Sequence, residues 1–304
     1  MIAPLFFLLA FTARPEVASL AAQDQTMVVA LGESNTPEQV VELLGYFGAD
    51  DDDTIVTVSL AETREVTRGI YDLSGINTAF SSSALSCRPE GTGLEVQTRN
   101  IEVVVPAMYA MALLTAGIDD ASLLVAAPEA DPALGMTALS GVFQTWDLAP
   151  CRSVVVEERR ALAVQQLALT IEIEESLGSA VGIDQVVDLV LAVQEQVLTE
   201  QMNDEDAIAH VVADQESAAK LELPREERAA LVRLMTGLVA LDLDWGTFAA
   251  GWTLERDPGD GHVVVTGHAP RSEEVASGSP APPRGVGGMV AGTTPAPTPS
   301  ATSR

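Results

Sequence analysis

Hydrophobic and polar positions form a first block of short alternating runs and a second block of long helical repeats, with the change near residue 153. Residues 94–128 organise the first block. They read LEVQTRNIEVVV, PAMYAMALLTAG and IDDASLLVAAP: an apolar strand, a short buried helix and a second apolar strand. Pro106 stands at the first helical position, where its missing N–H breaks no helical bond. Gly117 stands where a helix ends left-handed. The pattern predicts a β-α-β crossover, hence a parallel pair joined right-handedly. A second such unit opens the block. MVVAL at 27–31 fits a buried strand, and Thr36, Pro37, Glu38 and Gly48 mark the start and end of the helix after it. A strand over 54–60 completes the unit.

Residues 61–71 predict a solvated helix. Residues 81–98 alternate on both sides of a Pro-Glu-Gly-Thr-Gly run at 89–93, which predicts a hairpin. A loop follows residue 128, then a helix over 136–146. Beyond 153 the apolar period is helical. Helices are predicted over 159–177, from Ile183, from Asp204 and from Pro224, joined by short connections. The expected fold is α/β (or α+β): an N-terminal domain over 24–150 with its sheet covered by helices, then an all-α helical region over 151–256. The helical region is either a small subdomain or an arm folded onto the first. Residues 262–266 are a brief apolar run without an assigned place.

Both ends differ in composition. Residues 2–11 are apolar but too few to span a bilayer. Ser19 and Ala21 give a small-x-small pattern, so residues 1–22 are expected to be a signal peptide and the chain to be secreted or envelope-exposed. The charge order is unusual, with no basic residue before the apolar run and Arg14 and Glu16 after it. No cysteine follows the run, so no lipoprotein anchor is expected, and no transmembrane helix is expected in the mature chain. Residues 269–304 are rich in Pro, Ala, Gly, Ser and Thr, cannot bury a core, and are expected to be a disordered tail.

Charge narrows the partners. The 304 residues carry 44 acidic and 16 basic side chains, net −28, and Lys220 is the sole lysine. Such a chain repels nucleic acid and anionic lipid. Two cysteines, Cys87 and Cys151, lack metal-site spacing. In an exported protein they either pair across the N-terminal domain or remain separate buried thiols.

Catalytic patterns are sparse. No phosphate-binding glycine loop or G-x-S-x-G elbow occurs, and His210, His262 and His268 are too dispersed for a zinc helix. No cofactor is expected. Asp50, Asp51, Asp52 and Asp53 are the best metal-like cluster, although they lack the spaced ligands and closing Glu of a calcium loop. A helix-to-strand loop in an acidic protein is the simpler explanation of them. Ligands of open α/β sheets gather at the carboxyl ends of strands, which makes Asn100, Tyr109 and the loop after Ala127 candidate binding positions. Against this, Asn100 fits a turn or bulge, and Tyr109 fits a core tyrosine with its hydroxyl bonded.

Three segments carry a resemblance: MVVALGESNTPEQVVELLGYFG near the start, VQTRNIEVVVPAMYAMALLTAGIDDASLLVAAP in the organising unit, and LMTGLVALDLDWGTF near residue 240. Together they resemble DUF 1002, a family of uncharacterised extracytoplasmic bacterial proteins, over roughly residues 27–256. The resemblance implies export and implies no reaction. Three functions stand open: a non-catalytic binding module whose partner is a cell-envelope component, an envelope hydrolase with two carboxylates roughly 5–10 Å apart in one cleft, or a calcium-stabilised structural protein centred on Asp50 to Asp53.

Overall fold

The structure is a computed structural model, and it describes residues 27–149, 156–178, 180–241, 253–257 and 262–266. The expected signal peptide, Cys151, the Asp244-Trp245 pair and the expected tail lie outside these residues. The described residues all belong to one compact unit.

Both β-α-β units form. Strand β1 (Val28–Gly32), helix α1 (Pro37–Phe47) and strand β2 (Thr54–Val58) make the first, with β1 and β2 parallel. Thr36 and Gln39 close a capping box at the start of α1, and Gly48 ends it at φ 72°. After helix α2 (Leu60–Val66) and strand β3 (Ser82–Cys87), the second unit runs through β4 (Leu94–Arg99), α3 (Pro106–Ala116) and β5 (Ala121–Ala126). Strands β4 and β5 are parallel. The strand expected over 94–105 stops at Arg99 because Asn100 turns left-handed, φ 59°. Helix α2 is shorter than its pattern predicts; a turn with Gly69 at φ 73° follows it.

The expected hairpin over 81–98 does not form. Strand β5 lies between β3 and β4, antiparallel to the first and parallel to the second. The burial of β5 explains the exchange. Its sequence ASLLVA is apolar on both faces, so the centre of the sheet suits it better than an edge. The 88–93 turn steps across its start. The Asp120 carboxylate accepts the Gly91 and Gly93 N–H groups at 2.9 and 2.8 Å and pins that turn.

The sheet is completed from an unexpected direction. Residues 253–257, grouped by sequence with the helical region, form strand β6 (Thr253–Asp257), and the unplaced apolar run forms β7 (His262–Thr266). The sheet order is β2-β1-β3-β5-β4-β7-β6. Side chains alternate across it. Val29, Leu31, Ala84 and Ala126 meet α1 on one face. Leu85, Val96, Leu123 and Val125 meet α3 and helix α4 (Met136–Leu148) on the other.

All eleven residues of α3 are buried. A helix apolar all round requires cover on both sides. The sheet supplies one side, and helix α5 (Glu157–Leu177) supplies the other: Ala163, Val164, Leu167 and Ile171 of α5 share the core of α3 and the sheet. Helices α6 (Ile183–Thr199), α7 (Glu205–Ala219) and α8 (Arg225–Val239) pack beyond α5 around a second core of Val190, Val193, Ile208, Leu231 and Leu234.

Buried polar groups at these joints are matched. Thr115 donates to Gln166, Gln166 to Gln194, and Gln194 back to Thr115, a closed ring between α3, α5 and α6. Arg159 caps the end of α3, its Nε and Nη2 donating to the carbonyls of Thr115 and Leu114 at 2.7 and 3.0 Å. Burial pushes its guanidinium down to about 10, so it stays charged at neutral pH. Glu216 accepts two bonds from Arg228 and one from the Leu223 N–H, closing the α7–α8 turn. No helix among the described residues is long and apolar enough to cross a membrane.

Candidate binding cleft

A cleft of about 350 Å³ opens at the carboxyl end of the parallel strands. Three segments wall it: Leu60 and Thr63 of α2, residues 73–81 leading into β3, and residues 132–137 leading into α4. The first and third follow β2 and β5. The second precedes β3, which runs antiparallel to β1, so it lies beside the carboxyl end of β1. With α1 on one face of the sheet and α3 on the other, this is where connections depart in opposite directions and where open α/β sheets hold ligands.

The wall at 75–81 is held by the β1–α1 turn. Gly32 approaches it so closely that a Cβ there would sit 2.1 Å from the Ala79 carbonyl oxygen. The Ser34 N–H donates to that oxygen at 3.1 Å, and the Ala79 N–H donates back to Ser34 Oγ at 2.8 Å. Asn35 Nδ2 reaches the Gly32 and Phe80 carbonyls at 2.8 and 3.0 Å.

The two residues singled out from sequence brace the other wall. Neither lines the cleft. Asn100 Nδ2 donates to the Pro128 carbonyl, and the Asn100 carbonyl accepts the Ala133 N–H at 3.3 Å. Tyr109 is fully buried and donates its hydroxyl to the Gly135 carbonyl at 2.6 Å. Burial pushes its phenol far above the ordinary range, so it is a neutral donor. Gly135 adopts φ 102°, and a Cβ there would lie 2.5 Å from Tyr109 Oη. The loop after Ala127, the third sequence candidate, does form cleft wall at 132–135.

Chemically the cleft is neutral. Apolar surface comes from Leu60, Leu73, Phe80 and Met136, and polar groups come from Thr63, Asn77, Thr78, Ser81 and Thr137. None of the lining residues is ionisable. Ser81 and Thr137 escaped the sequence reading. Ser81 sits in a serine run that reads as hairpin strand, and Thr137 in an unremarked helix start; only the fold brings them together.

The other sequence candidates lie elsewhere. Asp50 to Asp53 precede β2, at the end of the sheet opposite the cleft. Their carboxylates close their own loop: Asp53 accepts the Met27 and Asp50 N–H groups, both at 2.9 Å, and Asp50 accepts the Asp52 N–H at 2.9 Å. Among the described residues, no group of three or more His, Cys, Asp or Glu is placed to hold a metal ion. Cys87 ends β3 and is disulfide-bonded. His210 Nδ1 lies 2.6 Å from the Asp206 carbonyl of its own helix, and His262 lies 3.2 Å from Glu95 on β4.

A sequence profile of the family described as protein of unknown function (DUF1002) matches residues 31–252. The chain belongs to the DUF1002 family. It is 29% identical over 234 residues to "Uncharacterized protein YpuA" of Bacillus subtilis (strain 168), covering 76% of this chain and 78% of that protein. No solved structure matches. All three segments carrying the resemblance overlap the matched residues, and the cleft walls at 60–81 and 132–137 lie wholly inside them, so the cleft belongs to the DUF1002 region.

Proposed function

We propose that this chain is a non-catalytic binding module of the extracytoplasmic cell envelope, and that the cleft receives its ligand. The neutral lining carries this reading. Acid–base catalysis needs a titratable group within hydrogen-bond reach of the reacting atom, a serine or threonine nucleophile needs a neighbouring base, and carboxylate hydrolysis needs two acids. The cleft offers shape, apolar surface and neutral hydrogen-bonding groups, which are the requirements of binding. The envelope setting is supported by the apolar run at 2–11, the small-x-small pattern at Ser19 and Ala21, and the disulfide state of Cys87. Cys151, the other cysteine, is its proposed partner.

Co-sedimentation tests the reading. The chain lacking residues 1–22 is mixed with envelope fractions of its own organism, beside a form that also ends before Ala269. Saturable sedimentation by both forms is expected. No saturable binding, or binding lost with the tail, would remove the cleft from the account.

A further inference from the structure

Helix α4 begins at the cleft without a capping side chain. Its N-cap is Gly135, which has none to offer. The first four N–H groups of a helix have no intrahelical acceptor. Ser81 Oγ accepts the Ala138 N–H at 3.1 Å. The N–H groups of Met136 and Thr137 have no acceptor among the described residues, and both residues line the cleft. A second, independent group sits beside them. Thr137 is only 6% exposed, yet its hydroxyl has no hydrogen-bond partner among the described residues. The hydroxyls of Ser83 and Ser140 also lack a partner among the described residues, but neither residue lines the cleft, whereas Thr137 does, so its open hydroxyl is the one a ligand can reach. The Ser81 hydroxyl, used as an acceptor, keeps its own proton to donate. Four donors therefore face the cleft with no acceptor for them among the described residues.

The geometry points to a neutral acyl oxygen, the carbonyl of an amide or acylamino group, as what α4 receives, with the apolar substituent of that group against Leu60, Leu73 and Phe80. This rests on the cleft being the binding site. An acceptor is required because the open groups are donors. A neutral acceptor is favoured over an anion on charge. The helix end supplies only about half an elementary charge, no cationic side chain lines the cleft, and the chain as a whole is at −28, which opposes anion entry.

Three probes of matched size separate the alternatives: N-butylacetamide, hexanoate and hexylammonium, each titrated into the 15N-labelled full chain and followed by NMR. The amide is expected to move the Met136 and Thr137 amide resonances most and to bind more tightly than hexanoate. Thr137→Val, nearly isosteric, should weaken the amide by about fivefold, the worth of one ordinary hydrogen bond. Thr137→Ser keeps the hydroxyl and should stay within about twofold of the native chain. Tighter binding of hexanoate would overturn the neutral assignment. Hexylammonium binding in the cleft without the amide would overturn the acyl assignment and leave the cleft as a binding site. No cleft resonance moved by any probe would overturn both. Equal affinity of the Val variant and the native chain would overturn the role of Thr137.

Discussion

The two ends of the sheet answer loop N–H groups in the same way and differ at one place. At the amino end they are answered from within: Asp53 takes those of Met27 and Asp50, and Asp120 takes those of Gly91 and Gly93. At the carboxyl end the walls are held just as firmly, through Ser34, Asn35, Asn100 and Tyr109, but the start of α4 is left open to a cleft. Carboxylates close turns at the carboxyl end too, where Glu33 accepts the Leu60 N–H at 2.7 Å and Glu42 the Glu129 N–H at 3.0 Å, but none lines the cleft. The difference teaches that acidic clusters in this chain are turn-closing devices. The place where something is missing is neutral, and a search by charge passes over it.

Four substitutions sharpen the comparison. Gly135→Ala has the largest expected effect. It forces a Cβ onto Tyr109, Ile101 and Val104 at a left-handed position, and should cost about 3 kcal/mol in a urea midpoint measurement. Gln166→Leu opens the buried ring at the α3–α5–α6 joint. It leaves the Thr115 hydroxyl proton and the Gln194 side-chain oxygen unmatched while the Gln194–Thr115 bond remains, so calorimetry should show a loss of about 2 kcal/mol. Asp120→Asn keeps the shape but puts an NH2 donor in place of one accepting oxygen, so one of the two charge-assisted bonds to the 88–93 turn is lost and the other weakened, for about 1.5 kcal/mol, with hydrogen exchange rising at Gly91 and Gly93. Thr137→Val should change stability by less than about 0.5 kcal/mol, because the hydroxyl it removes has no partner to lose. A large loss there would mean that the hydroxyl is already matched, and the contrast between the two ends would collapse.

Local signals in the sequence were reliable where a few adjacent residues decide the outcome. Thr36 with Gly48, and Pro106 with Gly117, bound α1 and α3 as their patterns predict. The parallel pairing of β1 with β2 and of β4 with β5 follows from those crossovers. Strand neighbours were less legible, because they are set by burial far along the chain. The turn at 89–93 reads as a hairpin until β5, apolar on both faces, takes the centre. Strands β6 and β7 were missed for a related reason: each is five residues long, and β7, which joins the pair to the sheet, finds its partner, β4, more than 150 residues back in the chain. The cleft was legible only indirectly. Asn100 and Tyr109 lie against the loop that forms one wall, which they support from behind. Phe80 and Ser81 come from one segment and Thr137 from another, and no local pattern encodes their meeting.

The most direct test of the central proposal, that the cleft is where this DUF1002 protein binds, blocks it without disturbing the fold. Gly75 lines the cleft, and a side chain added there meets no atom within 4 Å. Gly75→Trp should therefore fill the cleft while leaving the melting temperature within a degree or two of the native chain, about what a surface substitution shifts. In co-sedimentation with envelope fractions, the account predicts that this variant loses saturable binding while remaining folded. Undiminished binding by a folded Gly75→Trp chain would place the partner elsewhere and contradict it.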